Sequence, residues 1–125
     1  MILGDVDSPI EAARVATELA RVRRLQGSAS SAISLLEGAV SGLGDNDPAQ
    51  LGQALREMAI CYAAEDAVRA EKLLRRSIEL FEQSDEFAEL AASYRELGDV
   101  LRDGADLEGA CDAYRTGILV VEQQL

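Results

Sequence analysis

Histidine and tryptophan are both missing from this chain of 125 residues. Without His, the side chain that most often serves as a general base and as a metal ligand is absent. No Ser or Cys stands at a recognisable spacing from a base partner, and the sequence contains no G-x-x-x-x-G-K phosphate-binding motif. We therefore expect a protein that is not an enzyme and that needs no metal or cofactor.

Aromatic residues and cysteines are also scarce. Only 4% of the residues are aromatic although 48% are hydrophobic, so the core must be built from Ala, Leu, Val and Ile. That composition favours closely packed helices over a sheet sandwich. The two cysteines, Cys61 and Cys111, have no CxxC spacing, which predicts free thiols in a reducing compartment. With no apparent signal peptide and no long apolar run, we expect a cytoplasmic protein without membrane contact.

Positive charge is in short supply. The 12 basic residues are outnumbered by 23 acidic ones, which gives a formal net charge of −11. A surface of this sign repels phosphate backbones and anionic lipids. We therefore expect this segment to make no direct contact with nucleic acid.

Helical periodicity runs along the whole chain, and no window alternates with period two for long enough to predict a strand. In the first segment the apolar residues Ala12, Ala16, Leu19 and Ala20, with Val15 and Val22 beside them, form a helical stripe. Both prolines follow a good N-cap residue, at Ser8-Pro9 and Asp47-Pro48. The pattern predicts an all-α fold of six antiparallel helices in three hairpins, at about 9–26, 29–43, 48–64, 67–83, 86–103 and 107–124.

The helices repeat in pairs. Leu55-Arg56-Glu57-Met58-Ala59 matches Tyr94-Arg95-Glu96-Leu97-Gly98, and the second helices recur at intervals of 38 and 40 residues. Four residues before the small residue of each second helix stands an N-cap type of side chain: Ser28, Asp66 and Asp106. The chain is therefore predicted to be a loose three-fold repeat.

The best-preserved copy has the spacing of a known motif, in Tyr94, Leu97, Gly98, Leu101, Ala110, Tyr114 and Gly117. These residues resemble the tetratricopeptide repeat (TPR), although the family's helix-ending Pro is absent. The loose, Ala- and Arg-rich copies are similar to those of actinobacterial-type transcriptional regulators. The resemblance implies an α-solenoid of three TPR-like hairpins, with an N-terminal tail at 1–8 and one domain at 9–125 (repeats about 9–44, 48–83 and 86–124). Its implied role is protein or peptide binding, as the sensory or oligomerisation part of a bacterial regulator.

The family binds its ligands along the face made by the first helix of each hairpin. Carried over to this sequence, the groove positions include Arg21, Arg24, Arg56, Ile60, Arg95, Asp99 and Arg102. Five arginines in a chain of net charge −11 suggest a groove for an acidic peptide or a C-terminal carboxylate. The alternative is that these arginines only pair with neighbours such as Glu18, Glu57 and Glu96.

The last helix suggests a second surface. Leu119 stands where the previous copy has Glu79, so Ile118, Leu119 and Val120 form an apolar run in a helix that should be polar if it caps a solenoid. Such an apolar face implies a further repeat removed by truncation, a partner, or a self-associating copy, and in the last case the chain is a homodimerisation element that associates through the last hairpin. The alternative is a scattered surface residue without a role. A small-ligand pocket inside the solenoid is a third possibility for the function.

Overall fold

The computed structural model describes residues 8–124. The described residues form six α-helices and no strand, so the predicted all-α class is confirmed, and each helix lies within a few residues of its predicted bounds. The predicted tail at 1–8 falls outside the described residues except for Ser8, with which the first helix begins. The helices are α1 (Ser8–Leu25), α2 (Ala29–Leu43), α3 (Pro48–Tyr62), α4 (Ala67–Gln83), α5 (Phe87–Asp103) and α6 (Leu107–Gln123).

Three helices begin at an aspartate whose side chain caps them. Asp47 accepts a hydrogen bond from the backbone N–H of Gln50 at 3.0 Å, and Asp66 and Asp106 accept equivalent bonds three residues downstream. Each bond satisfies a backbone N–H that has no partner within the helix. Ser28 also precedes a helix, but its side chain makes no capping bond. Of the three repeated cap residues, Asp66 and Asp106 therefore act as predicted, while Ser28 marks only the position.

Consecutive helices pack as three hairpins, α1 with α2, α3 with α4, and α5 with α6. Successive hairpins are joined by α2 against α3 and α4 against α5, and the first helices also touch one another, α1 with α3 and α3 with α5. Glycines allow the closest approaches within hairpins. A Cβ built at Gly98 would lie 2.6 Å from Cδ1 of Tyr114, and one built at Gly52 would lie 2.8 Å from Cε1 of Phe81. A side chain at either position would therefore force the neighbouring ring to move.

The core runs through all three hairpins as adjoining clusters of aliphatic side chains. Its largest fully buried side chain is Phe81 of α4, which packs with Leu90 and Leu97 of α5. Where α4 meets α5, the buried hydroxyls of Ser77 and Ser93 lie 3.1 Å apart and share a hydrogen bond. Each hydroxyl therefore has a hydrogen-bond partner at this buried position.

Helix α1 differs from the prediction in which residues it buries. Ala13, Thr17 and Ala20 are its buried residues, and Thr17 donates its hydroxyl hydrogen to the carbonyl oxygen of Ala13 at 2.7 Å. Within the predicted stripe, Ala20 is buried and Ala16 is half-buried, but Ala12, Val15, Leu19 and Val22 are exposed. The helix has two apolar stripes, and only one of them has a neighbour among residues 8–124.

No helix within residues 8–124 is both long enough and apolar enough to cross a membrane.

Candidate functional site

Two of the predicted groove arginines are engaged in an ion cluster between the first two hairpins. Arg24 of α1 donates from Nε to Oε2 of Glu57 on α3, and Arg21 approaches Oε1 of the same carboxylate at 3.3 Å. The Glu57 side chain is only 4% exposed, whereas Arg21 also reaches the exposed Glu18 at 2.8 Å. Two cations around one buried anion neutralise its charge. Arg21 and Arg24 therefore hold α3 against α1.

Arg56 makes the corresponding link between the second and third hairpins by a different geometry. Its Nη2 lies 2.7 Å from Oε2 of Glu89 on α5, and Nη1 lies 3.3 Å from the Glu89 carbonyl oxygen. The guanidinium also lies over the ring of Phe81, 5.6 Å from the centroid. Its side chain is 14% exposed. Arg56 is thus largely buried at a junction between helices.

The remaining predicted groove residues on α3 and α5 lie together. Ile60, Asp99 and Arg102 line one cavity of about 230 Å³. The Tyr114 hydroxyl donates to Asp99 at 2.6 Å, and Arg102 lies 3.2 Å from Asp103 and 3.3 Å from the Tyr114 oxygen. The hydrogen bond to Asp99, followed by partial burial, raises the pKa of Tyr114 above its ordinary value. Arg102 therefore already has anionic and hydroxyl neighbours.

Arg95 occupies a different place from the other six groove residues. Its side chain is 66% exposed, and its ion-pair partner among residues 8–124 is the adjacent Glu96, at 3.5 Å. It lines a cavity of about 560 Å³ between α5 and α6. We call this cavity the terminal groove. Its apolar lining consists of Ala88, Ala91, Ala92, Gly117, Ile118 and Val121, with Tyr114 and Glu122 beside them.

The same groove exists one hairpin earlier, where it is filled. The second helices match at an interval of 40 residues, so Gly117, Ile118 and Val121 correspond to Ser77, Ile78 and Phe81. Those three residues are buried, and the cluster around them includes Leu90 and Leu97 of α5. By contrast, Ile118 is 58% exposed and Val121 is 48% exposed. The terminal groove is therefore equivalent to the groove that α5 fills, but no helix among residues 8–124 fills it.

Arg95 completes this correspondence. The first helices match at an interval of 39 residues, which places Arg95 where the second hairpin has Arg56. Arg56 meets a carboxylate from the helix that fills its groove, at Glu89. Arg95 stands at the edge of an open groove that offers it no such partner within residues 8–124. The terminal groove thus has no helix packed in it, and Arg95 has no carboxylate partner from a facing helix within residues 8–124, since Glu122 of the lining makes no ion pair with it.

The three residues predicted as an interface on the last helix are separated by the structure. Ile118 lines the terminal groove, whereas Leu119, 48% exposed, lies outside its lining. Val120 is half-buried and packs against the core of the last two hairpins. The three side chains thus do not form one surface, because successive residues of a helix point about 100° apart.

Sequence reasoning missed most of the groove lining. Ala88, Ala91, Ala92 and Arg95 follow an i, i+3, i+4, i+7 spacing on α5, as do Tyr114, Gly117, Ile118 and Val121 on α6. Such spacing indicates one face of each helix. Matching Val121 with the buried Phe81 would have identified the groove face. That step needs to know that the neighbouring helix covers Phe81.

The two cysteines differ in their surroundings. Both cysteines are free, Cys61 buried and Cys111 exposed. Burial, and next the nearby Glu57 charge, raise the pKa of the Cys61 thiol, which disfavours the reactive thiolate. Among residues 8–124, no group of three or more His, Cys, Asp and Glu could hold a metal ion.

No protein-family model matches the chain, and no curated protein matches it either. The resemblance to TPR proteins and to bacterial regulators therefore stays a prediction from the sequence.

Proposed function

We propose that this chain is a TPR-like α-solenoid of three stacked hairpins that binds a helical segment of a protein, without chemistry. The stacking of first helices on one another and the two filled junctions between hairpins support this arrangement. In a bacterial regulator of the kind that the sequence resembles, such a module would serve sensing or oligomerisation.

The observation that carries the proposal is the open terminal groove beside a filled copy of itself. Where α5 fills the earlier groove, it buries Leu90, Ser93 and Leu97 and brings Glu89 to Arg56. Apolar burial contributes roughly 25 cal/mol per Å², so an empty groove of this shape is a favourable place for an apolar helix face. Helix-in-groove binding is a common mode of peptide recognition.

The groove specifies the chemistry of its ligand. Gly117 stands where Ser77 meets Ser93, and because glycine is smaller than serine, the ligand residue over it can be larger than Ser93. Ile118 and Val121 are expected to contact aliphatic side chains of the ligand helix, about one turn from the ligand residue that lies over Gly117. Arg95 calls for a carboxylate near one end of the ligand helix, as Glu89 provides for Arg56. The proposed partner is therefore an amphipathic helix with an acidic residue.

This proposal keeps part of the sequence-based expectation of an acidic ligand. Of the five groove arginines, Arg21, Arg24 and Arg56 already bind buried or half-buried carboxylates that hold the hairpins together. Engaging Arg21 and Arg24 with a ligand would leave Glu57 buried and unpaired, at a cost of several kcal/mol, and engaging Arg56 would break its pair with Glu89. Arg95 has no such commitment. We therefore assign recognition to Arg95 and structural roles to the other three.

A labelled peptide of residues 86–103 tests the groove, because it reproduces the helix that fills the equivalent place. Titration with the full chain should raise its fluorescence anisotropy, and Arg95→Glu or Ile118→Glu should weaken this binding. Leu119→Glu is the matched control, since Leu119 is similarly exposed on the same helix but lies outside the lining. Absence of binding by the unmodified chain, or equal loss in all three variants, contradicts the proposal.

A further inference from the structure

Helix α1 exposes an apolar stripe that resembles the helix face expected to bind in the terminal groove. Val15, Leu19 and Val22 are 61%, 41% and 50% exposed. At the interval of 39 residues that relates the first helices, the matching residues of α3 are buried against the first hairpin: Ala54, Met58 and Cys61. The exposed stripe of α1 therefore corresponds to the face with which α3 and α5 each pack against the preceding hairpin.

The charge on α1 is placed in the same way. Glu11 matches Glu89 of α5, the carboxylate that binds Arg56. Its side chain is 60% exposed and pairs with Arg14 of its own helix at 2.9 Å. An exposed pair one turn apart contributes only about 0–1 kcal/mol, so Glu11 can exchange this partner at small cost. The stripe and its carboxylate are thus spaced on α1 as they are on α5.

We propose that α1 of one copy docks in the terminal groove of a second copy, so that the chain assembles head to tail. This inference rests on the function proposed above and names its partner. Val15 lies over Gly117 and Leu19 lies in the aliphatic part of the groove, as their counterparts Ser93 and Leu97 do over α4. Glu11 reaches Arg95, as Glu89 reaches Arg56. The same contact then covers the exposed stripe of α1 and fills the terminal groove.

This contact joins two different surfaces, so it does not close on itself. With the apolar stripe of α1 called the head, a head-to-tail contact leaves one free head and one free groove on every open chain, and only a closed ring has neither. An association through the last hairpins of two copies, in contrast, would stop at a symmetric dimer. The two arrangements therefore predict different masses and different responses to blocking one end.

Two blocked variants separate these outcomes. Val15→Glu blocks the head and Ile118→Glu blocks the groove, and both side chains are exposed, so neither change should unfold the chain. In sedimentation, the unmodified chain should gain mass beyond a dimer as its concentration rises. Each variant alone should stay a monomer. An equimolar mixture should form a heterodimer and stop there, since it contains one intact head and one intact groove. Leu119→Glu should behave like the unmodified chain.

Charge reversal tests the contact between Arg95 and Glu11. Arg95→Glu places two carboxylates together and should weaken self-association about tenfold. Adding Glu11→Arg in the same chain restores opposite charges at every junction and should recover most of the loss. Equal weakening in the single and double variants would count against this contact. Circular dichroism checks that all variants keep the helical fold.

Failure of the assembly and failure of the groove are distinguishable. A dimer that survives Val15→Glu and is lost with Ile118→Glu overturns the head-to-tail contact in favour of a symmetric one. An unmodified chain that stays a monomer, yet binds the peptide of residues 86–103 through Arg95, overturns the self-assembly and keeps the groove. A monomer that binds no peptide overturns both.

Discussion

A carboxylate buried between helices must be matched by cations, because an unpaired charge in that place costs several kcal/mol. Glu57 is such a group, with Arg21 and Arg24 around a side chain that is 4% exposed. The sequence allowed these three residues to be named as possible partners. It did not indicate whether the arginines served a ligand or the fold, since that depends on how deeply Glu57 is buried.

We expect Glu57→Gln to lower the free energy of unfolding by about 1–3 kcal/mol. The amide cannot match two guanidinium groups, but both arginines keep access to water, which limits the loss. The control is Glu18→Gln, which removes an exposed partner of Arg21 and should cost less than about 1 kcal/mol. Denaturant unfolding measures both values. Similar costs for the two variants would contradict the idea that burial of Glu57 increases the contribution of its ion pairs to the free energy of unfolding.

The pair between Arg56 and Glu89 could not be predicted from the sequence. Arg56 and Glu89 are 33 residues apart, and they meet only because the third hairpin docks at one register on the second. Nothing in the spacing of either residue on its own helix indicates that register. Pairs within one helix, such as Arg21 with Glu18, follow from the i, i+3 rule and could be predicted.

At the scale of the helix, local sequence signals predicted where each helix begins and ends, but not which of its faces is buried. Caps such as Asp66 and Asp106, and Pro48 in the first turn of α3, fix helix ends through bonds within a few residues. The number and bounds of the helices therefore followed from the sequence. Which stripe of α1 is buried did not follow, because that depends on where neighbouring helices pack, and among residues 8–124 no helix covers Val15 and Leu19.

Glycine in a helix interior normally weakens the helix by about 0.5–1 kcal/mol relative to Ala, so its effect depends on what lies beside it. We expect Gly98→Ala to destabilise the chain by about 1–3 kcal/mol, since the new methyl group would collide with the Tyr114 ring. Gly38→Ala is the matched control. Nothing lies within 4 Å of a Cβ at Gly38, so this change should stabilise the chain by several tenths of a kcal/mol.

Thermal or denaturant unfolding of the two alanine variants gives the signs directly. Opposite signs support the close approach of α5 and α6 at Gly98. A stabilising effect at both positions would mean that Tyr114 does not pack there as described.

For the whole molecule, the net charge of −11 opposes any contact between copies. Like-charged molecules repel across a distance set by the Debye length, about 30 Å at 0.01 M salt and about 8 Å at 0.15 M. The proposed contact between Arg95 and Glu11 is short-ranged, so added salt should weaken the general repulsion more than the contact.

We therefore expect the head-to-tail association to strengthen between about 0.01 M and 0.15 M salt. Sedimentation of the unmodified chain at a fixed concentration measures this as a gain in average mass. The Val15→Glu chain, whose head is blocked, should show no such gain. A loss of mass with added salt would indicate that attraction between opposite charges, rather than apolar burial, dominates the contact.

Among residues 8–124, each helix touches only helices one or two places away along the chain. Every loop that must close during folding is therefore short, and the entropic cost of closing a loop grows with its length. Proteins dominated by such local contacts fold rapidly. The first hairpin and α3 can pack together before α5 and α6 have left the ribosome, so the stacking order of this chain is also the order in which it can fold during synthesis.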